Sequence, residues 1–405
     1  MTSRGRAVLA LGVFCWIIAV VFGSRALFPV AAGLVLAVPI ALAWVRITLR
    51  QPRVSRHWLP HENLHERDDV AIELVLEREP GMPLPSVVAH ERIGQLGEEE
   101  VELRPRGRGR HAGSYLLFDV PRGRHRFAPV RLSISDPFGL AEAGLALEEQ
   151  QALVVYPRLT ELERLFFDGG AGPEHGRRLL LQRPVGFEIH SVRDYQQGES
   201  LRRVHWPSTA RRGALMVKEL EDSPRDEVAV LLDGDAAAVA GSPPNSSFDA
   251  AVRAAGSILL AQMRRGRRCV LTLNTACRET QTVSSHGPEW ERALELLAAA
   301  EPDARRPAAA LLESGVSEVA RSLELVVVTS RVEPALVNRL LERALTRRAV
   351  ALVHVEAASF AGRPHRPEPA LLRLQAAGVP IAVVRQGEDL AAALEGARAG
   401  EVAHA

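Results

Sequence analysis

Residues 228–237 read VAVLLDGDAA, and the fold of the C-terminal half turns on them. Five apolar residues in a row, halted by Asp233-Gly234-Asp235, describe a strand covered on both faces, as in a parallel sheet. The same pattern recurs downstream. Residues 248–263 place Ala251, Ala254, Ala255, Ile258, Leu259 and Met263 at helical intervals. Strands are expected over 268–273, 323–328, 349–355 and 380–384, with helices over 290–300 and 335–344. This alternation predicts a doubly wound α/β domain over 225–386, whose ligands bind beyond the carboxyl ends of its strands. Residues 387–405, rich in Ala and Glu, are left as a C-terminal tail.

Upstream the pattern changes. Residues 186–221, GFEIHSVRDYQQGESLRRVHWPSTARRGALMVKELE, are denser in polar and aromatic detail than their neighbours. A short helix is expected over 201–210 and a strand over 215–220, so 161–224 reads as a linking segment. Trp206 and Tyr195 suit a hydrophobic plug, with Arg193, Arg202 and Arg211 available to pair with Asp194, Glu188 and Glu199. Two readings stand: these side chains contact a partner, or they dock the segment onto the domain that follows. Surface charge clusters are mostly structural, which favours docking. Nucleic acid is not the expected partner. Glu219, Glu221 and Asp222 offset Arg202, Arg203, Arg211 and Arg212, and no stacking aromatic series accompanies them.

Residues 51–160 carry short runs with period-2 alternation, clearest in 69–77 (DVAIELVLE). Further strands are expected over 86–92, 99–104, 114–120, 125–134 and 152–156. Pro80-Gly81, Gly107-Arg108-Gly109, Pro121-Arg122-Gly123 and Asp136-Pro137-Phe138-Gly139 supply turns between them. Strands at this spacing without helices predict a small β-sandwich.

Two apolar runs open the chain: residues 7–23, AVLALGVFCWIIAVVFG, and 26–45, ALFPVAAGLVLAVPIALAWV. Each approaches the roughly 20 residues that cross a bilayer as a helix. Together with the turn at Gly23-Ser24-Arg25 they predict a transmembrane hairpin over 1–50. Arg4 and Arg6 precede it and Arg46, Arg50, Arg53 and Arg56 follow, against Arg25 alone in the turn. The positive-inside rule then puts both termini and the soluble domains in the cytoplasm of a multi-pass cell-membrane protein. The three cysteines, Cys15, Cys269 and Cys277, form no CxxC pair, in keeping with a reducing compartment. Fifty Lys and Arg face 49 Asp and Glu across the 405 residues, so no global charge recruits nucleic acid.

Two stretches carry possible metal chemistry. His61-Glu62-Asn63-Leu64-His65 matches HExxH, in which two histidines on one helical face bind zinc and the Glu is general base. Pro60 and Asp68-Asp69 leave room for only about two turns, and no third ligand stands out. A zinc-dependent membrane peptidase is therefore the alternative, and a polar linker the plainer reading. The second stretch is Asp233-Gly234-Asp235-Ala236-Ala237, at a strand's carboxyl end. In the von Willebrand factor type A fold, which this domain resembles, Asp-x-Ser-x-Ser there supplies oxygen ligands to Mg²⁺. Here Asp235 and Ala237 replace the serines, so the adhesion-type metal site is degenerate. Thr275 and Thr329 or Ser330 follow later strands and are further candidates, while the usual later Asp has no counterpart near Thr329. No cofactor is expected unless Asp233 and Asp235 still take Mg²⁺ as a receptor for an acidic ligand; otherwise Asp235 caps the loop or faces solvent.

With these residues in view, the chain resembles the domain of unknown function family fifty-eight. Asp136-Pro137-Phe138-Gly139-Leu140 is similar to its DxFGL turn, and Val155-Tyr156-Pro157 to its V-Y-P signature. Gly186, Glu188, Arg193, Tyr195, Gly198, Glu199, Arg202, His205, Trp206 and Ala210-Arg211 resemble its central motif. Glu199 stands where Asp is commoner, and His205 where the family favours Asp before Trp. The resemblance implies a membrane-anchored, cytoplasm-facing protein with a type A-like domain, encoded beside a MoxR-type AAA ATPase. Such proteins are thought to serve as adaptors or scaffolds in assembly or chaperone-like processes. No P-loop, nucleophile elbow, CxxC pair or Rossmann fingerprint is visible, so an enzyme is not expected.

Overall fold

The computed structural model describes residues 1–48, 52–59, 64–78, 86–107, 109–148, 151–168, 189–194, 205–220, 227–313, 318–346, 348–364 and 367–396. The chain divides into two compact units, Met1–Tyr156 and Pro157–Ala405.

In the first unit, α1 (Ser3–Val21) and α2 (Leu27–Thr48) pack side by side. Both are long and apolar enough to cross a membrane, and only 17% and 22% of their most apolar windows are buried. Leu11, Phe14, Ile17, Val20, Leu36 and Ile40 are all more than half exposed. A soluble core helix would cover such residues, so this exposure suggests membrane anchoring.

Among the described residues nine strands follow: β1 (Arg53–Leu59), β2 (Val70–Glu77), β3 (Ser86–Ile93), β4 (Gly97–Gly107), β5 (Arg110–Leu117), β6 (Gly123–Arg126), β7 (Val130–Ser135), β8 (Glu142–Leu147) and β9 (Ala152–Val155). Among the described residues they form one seven-stranded antiparallel sheet, ordered β1-β2-β5-β4-β3-β7-β8, and a two-stranded β6-β9 ribbon. This corrects the β-sandwich read from the sequence. The reason lies in β4, whose first part pairs with β3 while Arg104–Gly107 pairs with β5 across an irregular register. One long strand thus carries the hydrogen bonding from one half to the other, and the sheet curls instead of splitting in two. The strand expected over 125–134 is also two strands, because Pro129 lacks the N–H a continuous ladder needs.

The inner face of the curl is apolar, with Leu74, Leu76, Val87, Val101, Leu103, Leu132 and Ile134 in one cluster. Ile72, Ile93, Phe127, Leu153 and Val155 form another. Tyr115 touches both clusters. It donates its hydroxyl to Glu91 Oε2 at 2.5 Å. Glu91 in turn pairs with the Arg56 guanidinium, and both side chains are fully buried. Arg56 also donates to Ala128 O at 3.3 Å and lies over the Phe127 ring. Burial, then the neighbouring Glu91 carboxylate, push the Tyr115 phenol upward.

The second unit begins earlier than the sequence suggests. Residues 157–168 are part of it: Leu165 is buried in its core, and Thr160 N–H donates to Ser257 Oγ at 3.0 Å. Next come β10 (Ile189–Asp194), α3 (Trp206–Arg212) and β11 (Met216–Leu220), the two strands pairing antiparallel as a ribbon. The main sheet comprises β12 (Glu227–Asp233), β13 (Arg268–Asn274), β14 (Thr280–Val283), β15 (Glu324–Thr329), β16 (Ala349–Val355) and β17 (Ile381–Val384). Its order among the described residues is β14-β13-β12-β15-β16-β17, parallel except for the β14 edge. The sheet is therefore mixed. Thr280–Val283 has no apolar run to announce it.

Alternate residues of β12 serve opposite faces. Val228, Val230 and Leu232 meet α4 (Ser247–Arg264) and α5 (Pro288–Ala299). Ala229 and Leu231 share the other core with α6 (Ala309–Glu313), α7 (Glu318–Arg321) and α8 (Pro334–Leu345). A capping box starts α4: Ser246 Oγ accepts Asp249 N–H and Asp249 Oδ2 accepts Ser246 N–H, each at 3.1 Å. Short helices α9 (Ala357–Phe360), α10 (Pro369–Ala376) and α11 (Leu390–Glu395) complete the unit. Leu394 of α11 is fully buried in the first core, so part of the expected tail belongs to the domain.

The buried Arg56–Glu91 pair generates a stability test. Removing one partner strands the other charge, so Arg56→Met should lower unfolding free energy by about 3–5 kcal/mol. Arg56→Met combined with Glu91→Leu should recover most of that loss. Urea unfolding of the detergent-solubilised full chain, followed by tryptophan fluorescence, measures both.

Candidate functional site

The strand order reverses between β12 and β15, the point at which open α/β sheets bind ligands. Asp233 closes β12 there. Its register partner on β13 is Asn274, and the neighbouring strand β15 ends at Thr329. Asp233 Oδ1 accepts Asn274 Nδ2–H at 2.8 Å, and Oδ2 accepts the Thr329 hydroxyl at 2.8 Å. One nearly buried carboxylate thus ties three strand ends together. Asn274 makes a second bond to Arg306 O at 3.0 Å, and Gly234 N–H donates to Asn274 O at 3.0 Å. A Cβ on Gly234 would lie 2.7 Å from that oxygen, so only glycine permits the approach.

Asp235 faces outward. Its Oδ1 accepts Ala237 N–H at 3.0 Å and caps the 3₁₀ turn Ala236–Ala238. Its Oδ2 accepts Arg331 Nη1 at 3.0 Å, while Arg331 Nε lies 3.4 Å from Glu333. The hydrogen bond it donates to Asp235 and the charge of Glu333 hold the Arg331 guanidinium above its ordinary value. Burial pushes the Asp233 carboxyl upward, against the opposing pull of Asn274 and Thr329.

A hard divalent cation needs several oxygen lone pairs converging on one point. Here both Asp233 oxygens already accept hydrogen bonds, the outer Asp235 oxygen is paired with arginine, and Ala237 has nothing to offer. Among the described residues no three His, Cys, Asp or Glu side chains form a metal-holding group. These oxygens are thus engaged by the protein's own donors instead of converging on an open point, and of the two readings of Asp235 the loop cap is the one observed. Sequence reasoning missed Asn274 and Arg331. Both follow from registering the carboxyl ends of β13 and β15 against Asp233, which needs the pairing of strands distant in sequence.

Beside this loop, Ser330, His354, Glu356, Arg363, Glu368 and Leu371 line a cavity of about 520 Å³. Glu356 is held there by Arg385 at 2.7 Å.

In the HExxH stretch, His61 and Glu62 lie outside the described residues. His65 is in a β-bridge with Tyr156, its N–H donating to Asp68 Oδ2 at 2.9 Å, and Arg67 takes a φ of 68°. From Leu64 onward the chain is bridge and turn, not the helix that would align two histidines.

The central motif is described in part. Glu188, Tyr195, Gly198, Glu199 and Arg202 lie outside the described residues, and Arg193 is placed only as backbone on β10. His205 N–H donates to Met216 O at 2.8 Å, and its Nδ1 bonds Ser208 Oγ at 2.8 Å. Thr209 Oγ1 accepts Met216 N–H at 3.0 Å, fastening α3 to β11. None of the residues of α3 is buried. Trp206 is 65% exposed, which corrects its reading as a hydrophobic plug. Arg211 is exposed in the last turn, where a cation complements the helix dipole.

Residues 191–359 match the family described as Protein of unknown function DUF58, a span that holds the central motif from Arg193 to Arg211. Uncharacterized protein YeaD of Bacillus subtilis (strain 168) is 28% identical over 300 residues, covering 70% of this chain and 71% of its own length.

The raised Asp233 carboxyl gives a signed pH test. The folded state keeps this proton to higher pH than the unfolded chain. Its stabilising contribution is therefore complete below the ordinary value of 3.8 and declines as pH rises through the folded value. Asp233→Asn removes the titration. The unfolding free energy of the parent minus that of Asp233→Asn should fall as pH climbs through this range and then level off. A difference that grows with pH would contradict the assignment.

Proposed function

We propose, taking region 191–359 as a member of the DUF58 family, that this protein is a membrane-tethered adaptor and not an enzyme. The two apolar helices are its anchor. Thr2 at the start of α1 and Val45 near the end of α2 both pack on the same β domain. That arrangement supports a hairpin whose two ends emerge on one face, and the flanking arginines assign that face to the cytoplasm. The α/β unit is read as von Willebrand factor type A-like. Its support is the antiparallel edge strand β14 beside β13 and the aspartate closing β12 at the switch point.

The observation that carries the adaptor reading is Trp206. A tryptophan left 65% exposed on a seven-residue helix with no buried face does nothing for the domain's own core. Tryptophan and arginine are the residues most enriched where protein interfaces concentrate their binding energy. Arg211 and Arg212 stand in the last turn of the same helix, suited to steering an acidic partner. The partner proposed is a MoxR-type AAA ATPase, in an assembly or chaperone-like process, as the family resemblance implies.

The test uses the full chain in lipid nanodiscs and the purified MoxR-type ATPase from the same source. Trp206→Ala should weaken binding on the order of 10- to 100-fold, as loss of a central anchor does, with an unchanged circular dichroism spectrum. Equal binding by Trp206→Ala rejects the arm as the docking element. Absence of binding by the parent protein rejects the ATPase as partner.

A further inference from the structure

The turn at Asp136–Leu140 is built more firmly than a surface loop between two strands requires. Asp136, almost fully buried, accepts Phe138 N–H through Oδ2 at 2.9 Å and Ala141 N–H through Oδ1 at 2.6 Å. Gly139 N–H closes the turn onto Asp136 O at 3.0 Å. At its tip Phe138 is 78% exposed. A rigid turn that holds an aromatic ring away from its own domain presents that ring to something else.

What lies next to the turn identifies the occupant. Thr2, the cap of α1, donates its hydroxyl to Gly139 O at 2.6 Å and its N–H to Leu140 O at 3.1 Å. A Cβ on Gly5 would come within 2.1 Å of Leu140 O, so the first turn of α1 sits directly on this loop. The apolar run of α1 begins at Ala7, two residues beyond Gly5 and about 3 Å further along the axis at 1.5 Å per residue. Arg4 and Arg6 are exposed in the same turn of helix, and the Arg4 guanidinium lies beside Gly139. The turn that carries Phe138 therefore touches the first turn of α1, just before its apolar run and beside cations that match anionic headgroups.

We propose that the Asp136–Leu140 turn is the lipid-facing foot of the β domain, with Phe138 inserted at the bilayer interface beside Arg4 and Arg6. The inference rests on the membrane-anchor reading of α1 and α2. Aromatic rings favour the headgroup level, and a ring on a preordered turn enters it without losing further chain freedom. The hairpin and the β domain are then held to the membrane as one body at two levels, the helices deep and the turn shallow.

The test places an environment-sensitive nitrobenzoxadiazole label on Phe138→Cys in the full chain, with Cys15→Ser and Cys277→Ser removing the accessible native thiols. Cys269 is buried, with its thiol pushed up to about 12, and stays unlabelled. A second variant carries the label on Ile17→Cys, an exposed position within the apolar run of α1. Both are reconstituted in phosphatidylcholine–phosphatidylglycerol vesicles containing lipids with a doxyl quencher near the headgroup or deep in the chain. The expected result is a blue-shifted Phe138→Cys signal quenched more by the shallow lipid, and an Ile17→Cys signal quenched more by the deep one. Quenching at Ile17→Cys with none at Phe138→Cys overturns the foot while sparing the anchor. An Ile17→Cys label that neither lipid quenches overturns the anchor, and the foot with it.

Discussion

A single carboxylate organises the C-terminal domain. Asp233 ends the central strand of a sheet whose order reverses beside it, and its two oxygens accept one bond from each flanking strand. Hydrogen bonds to a charged group are worth about 1.5–3 kcal/mol each, and more is lost when a buried acceptor is orphaned. The positions of Gly234, Asp235 and the 3₁₀ turn depend on that tie, and so does the reach of Arg331 to Asp235. Asn274 and Thr329 supply the donors to Asp233, and Arg331 supplies one to Asp235. The hydrogen bonds of both carboxylates are met from within the protein.

The N-terminal unit follows a comparable logic in a less polar setting. Its sheet curls because β4 belongs to both halves, and the fully buried Arg56–Glu91 pair with Tyr115 lies inside the curl. Buried ion pairs contribute little net stability against an apolar replacement, yet they penalise any arrangement that separates the partners. Strands β1, β3 and β5 each contribute one member of this triad, so it specifies their mutual register.

How much of this was legible in the sequence depended on whether the deciding contact is local. Strands β12, β15 and β16 were evident because both of their faces are apolar, and α4 because its small and aliphatic residues repeat at helical spacing. The apolar runs of α1 and α2 needed only length. By contrast, Thr280–Val283 is an edge strand of polar residues, recognised only by its neighbour β13. The curl of the first sheet comes from one strand changing partners, which no periodicity records. In the site, Asp233 stood out as the residue ending an apolar strand. Its partners Asn274 and Thr329 lie 41 and 96 residues away, and the Arg331 that occupies Asp235 answers to strand order, not to spacing. Trp206 differs for a related reason: an aromatic in a polar motif suggests burial, and only the folded chain shows that α3 buries none of its residues.

The central claim is that this sheet end is completed by the protein's own donors. Isothermal titration of Mg²⁺ into the chelator-treated full chain in nanodiscs tests it most directly, with Asp233→Ala as the paired variant. The account predicts no saturable binding and a melting temperature indifferent to Mg²⁺. Saturable binding by the parent that disappears in Asp233→Ala would contradict it, because Asp233 would then be a ligand and Arg331 would have to yield its place.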